Sequence, residues 1–259
     1  MANSVQPAGE VSHVAALFDI HGNLPALDAV LADLQRLNVD ELIVGGDVFP
    51  GPMAIEVLAR LRGLDIPVRF ISGNGDRVVV AAKSGGDISE VPAPYQDVVR
   101  WAAGALGRED ELLVRAWPKT LRSGVRGLGD VFFCHATPRS DTEIFTRRTP
   151  ERHLLPHFDH LGVPVVVCGH THMQFDRTVG RTRIVNAGSV GMPFGEPGAY
   201  WLLLGPDVEL RRTPYDLPAA ARRIQATRYP RAEEFAARSV LQPPSETEML
   251  EVYGRVEIR

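Results

Sequence analysis

Short apolar runs in this chain end, one after another, in residues that ligate metals. VAALF runs into Asp19 and His21, ELIV into Asp47, IPVRFIS into Asn74, DVFFC into His135, and PVVVC into His170 and His172. Runs of this length and composition fit strands buried on both faces better than helices. Helical repeats separate the first three. Leu24, Leu27, Leu31, Leu34 and Leu37 recur at helical spacing with Pro25 in the first turn, and MAIEVLARLRG follows the second run and stops at Gly63. Strands alternating with helices imply crossover connections and a largely parallel sheet. The carboxyl ends of such strands share one edge, where loops converge on a ligand. Seven candidate ligands therefore meet in one place.

The rest of the chain fills in around that edge. Residues 77–120 lose the alternation and read as a helical insert, with YQDVVRWAAGAL and REDELLVRAW as its helices. A second strand series, DVFFCHATP, PVVVCGHTH, RTRIVN and AYWLLLG, predicts a second sheet layered on the first. From Tyr215 onward the chain turns polar and helical, most clearly at DLPAAARRIQA. The expectation is one domain over residues 1–259, with the insert at about 77–120 and a helical carboxyl-terminal extension at about 215–259.

The chemistry follows from the donor types. In DIH and again in HTH two candidate ligands stand two residues apart, so in extended backbone they share a side. A lone Asp or His at a strand end is more often a hydrogen-bonded loop residue; the joint occurrence favours ligation. Imidazole, carboxylate and amide oxygen together suit Mn²⁺, Fe²⁺ or Zn²⁺ rather than an all-oxygen calcium cage. One carboxylate, Asp47, is placed to bridge two ions roughly 3.5 to 4 Å apart. Arginine supplies nearly all the positive charge: the only lysines are Lys83 and Lys119, neither in a GxxxxGK[ST] loop, which excludes a P-loop. A net charge of −4 argues against a strong nucleic-acid surface. No run is long enough for a membrane span, and the amino end lacks the charge and apolar pattern of a leader. Cys134 and Cys168 sit inside apolar runs and predict buried free thiols, as in a reducing cytoplasm.

DIHGN (19–23), GGD (45–47), GNGD (73–76), CHATP (134–138), GHTH (169–172) and NAGSVGMP (186–193) together resemble the calcineurin-like metallophosphoesterase superfamily, closest to its small bacterial and archaeal phosphodiesterase-type members. The resemblance spans about residues 14–204 in order. It implies a four-layer αββα sandwich and a dinuclear centre, with manganese as the first choice of metal and iron or zinc as alternatives. Carried over by position, Asp19, His21 and His172 would hold one ion, Asn74, His135 and His170 the other, and Asp47 would lie between them. Asp47, Asn74 and His135 take the catalytic role, and a metal-bridging hydroxide is the expected nucleophile.

Two departures narrow that expectation. The family's third segment is commonly GNH[DE], with a histidine that assists the leaving oxygen; here the position is Gly75. Losing a general acid forfeits roughly 10²- to 10⁴-fold, most with poor leaving groups. A phosphodiester with a strained or acidic leaving group is then the expected substrate, a cyclic nucleotide among the candidates, and the glycine reads as space for a bulky ester. After GGD the chain runs VFPGP, without the phosphate-clamping arginine of protein serine/threonine phosphatases. Arg77 and Arg139 follow site segments, although a solvated surface role is the simpler expectation for each.

HLLPHFDH (153–160) resembles a metal motif but reads as a surface segment lining the cleft, because Pro156 interrupts a helix. His13 reads as solvated. Asn23 and Thr171 are candidates to orient the site histidines or simply to form turns, and the loop 186–191 reads as structural, with a homo-oligomer contact left open. The leading expectation is a cytoplasmic metal-dependent phosphodiesterase acting on a small substrate. A phosphomonoesterase or protein phosphatase is the alternative, and a non-catalytic scaffold, as the retromer subunit of this fold is, comes third.

Overall fold

The computed structural model describes residues 10–258. The amino-end stretch read above for a leader lies outside them as far as residue 9. The first half runs β1 (Val14–Leu17), α1 (Leu24–Leu34), β2 (Glu41–Val44), α2 (Ala54–Arg62), β3 (Val68–Phe70) and α3 (Asn74–Lys83). α4 (Gln96–Ala105) and α5 (Arg108–Arg115) follow, then β4 (Thr120–Val125), β5 (Gly129–Cys134), α6 (Glu151–Phe158) and β6 (Val165–Cys168). The chain closes with β7 (Phe175–Val179), β8 (Thr182–Asn186), β9 (Ala199–Leu204), β10 (Val208–Thr213), α7 (Leu217–Gln225), α8 (Ala232–Phe235) and α9 (Glu246–Tyr253).

Two five-stranded sheets result, in the orders β10-β9-β1-β2-β3 and β4-β5-β6-β8-β7. β1, β2 and β3 are mutually parallel, as are β5, β6 and β8, and antiparallel strands complete each sheet. Period-two alternation distributes the apolar side chains. In β1, Val14 and Ala16 enter a cluster shared with Val131, Phe133, Val165, Val167 and Val185, which is the layer between the sheets. Ala15 and Leu17 face the other way, into a cluster with α1, α2, α3 and α7. Phe132, Cys134, Val166 and Cys168 join Leu154 and Phe158 of α6 on the outer face of the second sheet. The order of layers is helix, sheet, sheet, helix, as the resemblance implied. Both cysteines are buried free thiols.

α6 departs from the sequence expectation. It continues through Pro156, and His157 is only 6% exposed, so HLLPHFDH packs on the second sheet instead of lining the cleft. Burial of Leu154 and Phe158 holds the helix although Pro156 has no amide to donate back along it. Among the described residues no helix is long and apolar enough to cross a membrane.

Candidate metal centre

All seven candidate ligands lie just beyond the ends of β1, β2, β3, β5 and β6, though not in extended backbone. β1 stops at Leu17 and β6 at Cys168, and Asp19, His21, Asp47, His170 and His172 all have positive φ, between 45° and 68°. The same-side reading of DIH and HTH as strand alternation is therefore corrected: left-handed turns, not pleating, aim these side chains. Asp and His tolerate that region better than branched residues, at about 1 kcal/mol or more each. Neighbouring segments hold the turns in place. The amides of Asp19 and His21 donate to Gly46 and Asp47 carbonyls at 3.1 and 2.9 Å, and those of Val190 and Gly191 donate to Phe18 and Asp19 carbonyls, both at 3.0 Å. Asn74 is the first residue of α3.

The side chains converge tightly. His172 Nε2 stands 3.3 Å from Asp19 Oδ1 and 3.3 Å from His21 Nε2. Asp47 Oδ2 lies 3.6 Å from both His21 Nε2 and His135 Nε2, and His135 Nε2 is 3.1 Å from Asn74 Oδ1. Asp19, His21 and His172 thus form one group able to hold an ion, and Asp19, Asp47 and His135 a second. His170 belongs to neither group of three; its amide donates to Asp19 Oδ2 at 2.8 Å, and its ring packs 5.2 Å from that of His135.

The donors are oriented for a cation. The ring Nδ1 of His21, His135 and His172 meets the carbonyls of Pro50, Gly45 and Met192 at 3.3, 2.9 and 2.7 Å. A carbonyl only accepts, so Nδ1 carries the proton in each ring and the Nε2 lone pairs point inward. Asp19 Oδ1, fully buried, has no hydrogen-bond partner. Inward lone pairs 3.3 Å apart beside an orphaned carboxylate oxygen are costly unless positive charge sits among them. The residues present fit a divalent metal.

Electrostatics agree. Burial would raise the Asp19 carboxyl, but His172 and then His135 hold it well below the usual carboxylate range. Burial works against His172, yet Asp19 raises it on balance; His135 is likewise raised by Asp47 and Asp19 against burial. Burial lowers His21, and it takes His170, with His135 adding to the effect, down to about 4.

Gly75 answers to its neighbours. An added Cβ would lie 2.2 Å from the Phe49 carbonyl oxygen and 3.0 Å from Asp47 Oδ1. Its amide donates to Asp47 Oδ1 at 2.7 Å. The glycine is thus not open space for a bulky ester: the loop after β2 crosses it. Asp76, which the sequence reading left without a role, ties that crossing together. Its carboxylate accepts from the amides of Asp47, Phe49 and Gly73 at 2.8, 3.0 and 3.0 Å. Asp76 stands at the third position of α3, and an acid there bonding back to Gly73 is a helix-start signal that could have been read. Burial, then Asp47, pushes its carboxyl up to about 7 against those donors.

Other candidates resolve in the same way. Asn23 caps α1 through Ala26 N at 3.2 Å and donates to the Gly191 carbonyl at 3.0 Å. Asn186 donates to the Gly169 carbonyl and Thr171 Oγ1 at 2.6 and 3.1 Å, so the loop 186–191 braces the HTH turn. Arg77 is paired with Glu90 and Asp141, and Arg139 with Glu143, which corrects the surface reading of Arg77 and leaves neither free for an anion. Aromatic side chains escaped the sequence reading: Phe194 stacks on His172 at 5.4 Å, and Tyr253 packs edge-on against Phe194 at 6.2 Å. Beside His21, Asp47 and Asn74 opens a groove of about 290 Å³ walled by Pro50, Val78, Val91, Val99, Met192 and others.

An uncharacterised protein of Methanocaldococcus jannaschii is 24% identical over 239 residues, covering 85% of this chain and 94% of its own. The crystal structure of a hypothetical protein from Pyrococcus horikoshii shares the fold with a TM-score of 0.76 at 22% identity, over 91% of this chain and all of that one. That of a metallophosphoesterase from Sphaerobacter thermophilus gives 0.66 at 23% identity, over 88% and 98%. The calcineurin-like phosphoesterase superfamily domain model matches residues 13–205, which take in nine of the ten strands and every segment of the site, and the chain belongs to that superfamily.

Proposed function

We propose that this chain is a metal-dependent phosphodiesterase with a dinuclear centre, manganese being the metal to try first. Asp19, His21 and His172 would hold one ion, Asn74, His135 and His170 the other, with Asp47 between them. Such ions, when bound, supply an activated water and neutralise charge on the phosphoryl oxygens. The chain's own residues orient that chemistry. Backbone carbonyls fix the imidazole tautomers, and Asp76 holds the Asp47 and Phe49 amides in register.

The observation that carries the diester reading is the lining of the site groove. Among the described residues no Arg or Lys lines it; its walls are mostly apolar, and Glu90 is its acidic member beyond Asp47. A phosphomonoester carries up to two negative charges at neutral pH and would bring the second against these walls unpaired. A diester carries one and offers an organic arm to the apolar surface. No side chain can grow from Gly75 to protonate a poor leaving group, so acidic or strained leaving groups are favoured.

The test is steady-state hydrolysis of bis-p-nitrophenyl phosphate against p-nitrophenyl phosphate with Mn²⁺, before and after chelation. The diester should be preferred by about tenfold or more in kcat/KM and its turnover lost on chelation, the preference corresponding to about 1.4 kcal/mol. A preference for the monoester, or turnover indifferent to chelator, sinks the proposal.

A further inference from the structure

The site groove does not end at its apolar wall. Tyr95, Met192 and Tyr229 also line a second hollow, of about 320 Å³, so the two are adjoining chambers of one groove. The second chamber is apolar over Phe194, Phe235 and Met249, and it carries two arginines, Arg231 and Arg238. They are in opposite states. Arg231 is committed: it pairs with Glu234, donates to the Pro94 carbonyl at 2.5 Å and lies 4.8 Å over the Tyr95 ring. It holds Tyr95, one of the residues that line both chambers. Arg238 is exposed and, among the described residues, has no hydrogen-bonded or ion-paired partner. It projects from a π-helical turn, Ala236–Leu241, a wide turn that often marks a functional position.

Glu234, the acidic group of this chamber, is spent on Arg231. The far chamber therefore keeps one uncompensated positive charge, and it borders the chamber beside the metal centre along Tyr95, Met192 and Tyr229. A ligand that spans both chambers along this shared border and ends in an anion satisfies both features. Charge-assisted bonds to a guanidinium are the strong ones, and a planar fork suits phosphate or carboxylate.

We propose that the substrate is an elongated phosphodiester whose apolar arm lies along this groove and ends in a second anionic group that Arg238 receives. This rests on the phosphodiesterase reading above. An alkyl arm and an aromatic arm share the required chemistry.

The test separates the groove from catalysis by measuring binding. Alkane bisphosphonates of increasing chain length, an arene bisphosphonate, and the matching monophosphonates are titrated by calorimetry into the Mn²⁺-loaded full-length protein. At least one bisphosphonate should bind about tenfold tighter than its monophosphonate, a difference of about 1.4 kcal/mol. Arg238→Gln should bring that ligand down to its monophosphonate's affinity, and Arg238→Lys should keep part of the difference. An advantage confined to alkane ligands assigns an alkyl arm, and one confined to the arene ligand an aromatic arm. No advantage in either series, or one that survives Arg238→Gln, overturns the inference. The binding result stands whether or not bis-p-nitrophenyl phosphate is hydrolysed, so failure of the catalytic reading and failure of the groove are told apart.

Discussion

Replacing Gly75 by alanine should damage the centre by a calculable route. The new Cβ would lie 2.2 Å from the Phe49 carbonyl oxygen, where ordinary contact begins at 3.4 Å, so about 1.2 Å must be found. The carbonyl cannot swing freely: the Phe49 amide is bonded to Asp76 at 3.0 Å and its side chain is fully buried. On the other side stands Asp47, whose Oδ1 would be 3.0 Å from the Cβ. Overpacking of this kind costs about 3 kcal/mol. In a chain of this size that lowers the melting temperature by about 6 to 12 °C. Displacing Asp47 by about 1 Å costs about a hundredfold in turnover. Thermal melting of the chelated protein and kcat/KM for bis-p-nitrophenyl phosphate with Mn²⁺ read the two effects separately. Gly75→His should behave no better than alanine, because its Cβ meets the same carbonyl. An alanine variant that melts within about 2 °C of the parent and keeps half its activity would refute the reasoning: the loop over Gly75 would then be free to move.

Two further predictions concern the supports of the centre. In the chelated protein His170 is held down to about 4, below the ordinary value of about 6.5. The unfolded imidazole takes up a proton in that window that the folded one refuses, so His170 subtracts stability as pH falls from about 6.5 to 4. His170→Asn should flatten this part of the melting-temperature profile, and parallel profiles would show that the imidazole is not held neutral. Asn186 is fully buried, with its amide donating to the Gly169 carbonyl and Thr171 and its oxygen accepting from Gly188 N at 2.9 Å. Asn186→Ala should cost about 3 kcal/mol and lower kcat/KM more than melting alone explains; full activity in the folded variant would separate this loop from the site.

How far the sequence speaks depends on whether a signal is local. β1, β2, β5 and β6 were legible because burial on both faces makes an apolar run. The strands missed from sequence, β4, β7 and β10, are all edge strands of their sheets. TLRSGV, FDRTV and VELRRT turn part of each strand to water, and no apolar run results. The seven candidate ligands stood out in the sequence because each closely follows such a run. What Gly75 faces was not, since the Phe49 carbonyl arrives from a different loop. The same holds for Arg77, whose partners Glu90 and Asp141 lie 13 and 64 residues further along the chain. The start of α3 was hidden by GNG, which reads as a breaker until Asp76 is seen bonding back to Gly73.

The left-handed backbone at five of the seven candidate ligands bears on how such a centre is dissected. Alanine at Asp19 or His172 would remove a donor and also keep a conformation that alanine dislikes, so any loss mixes two causes. Glycine removes the same donor and welcomes the turn. The backbone strain would be relieved by that exchange, but the bonds that Asp19 makes to the His170 amide and His172 to the Met192 carbonyl would be lost with the donor. At these positions the turn and the donor make opposite demands on the residue, and a substitution that relaxes one gives up the other.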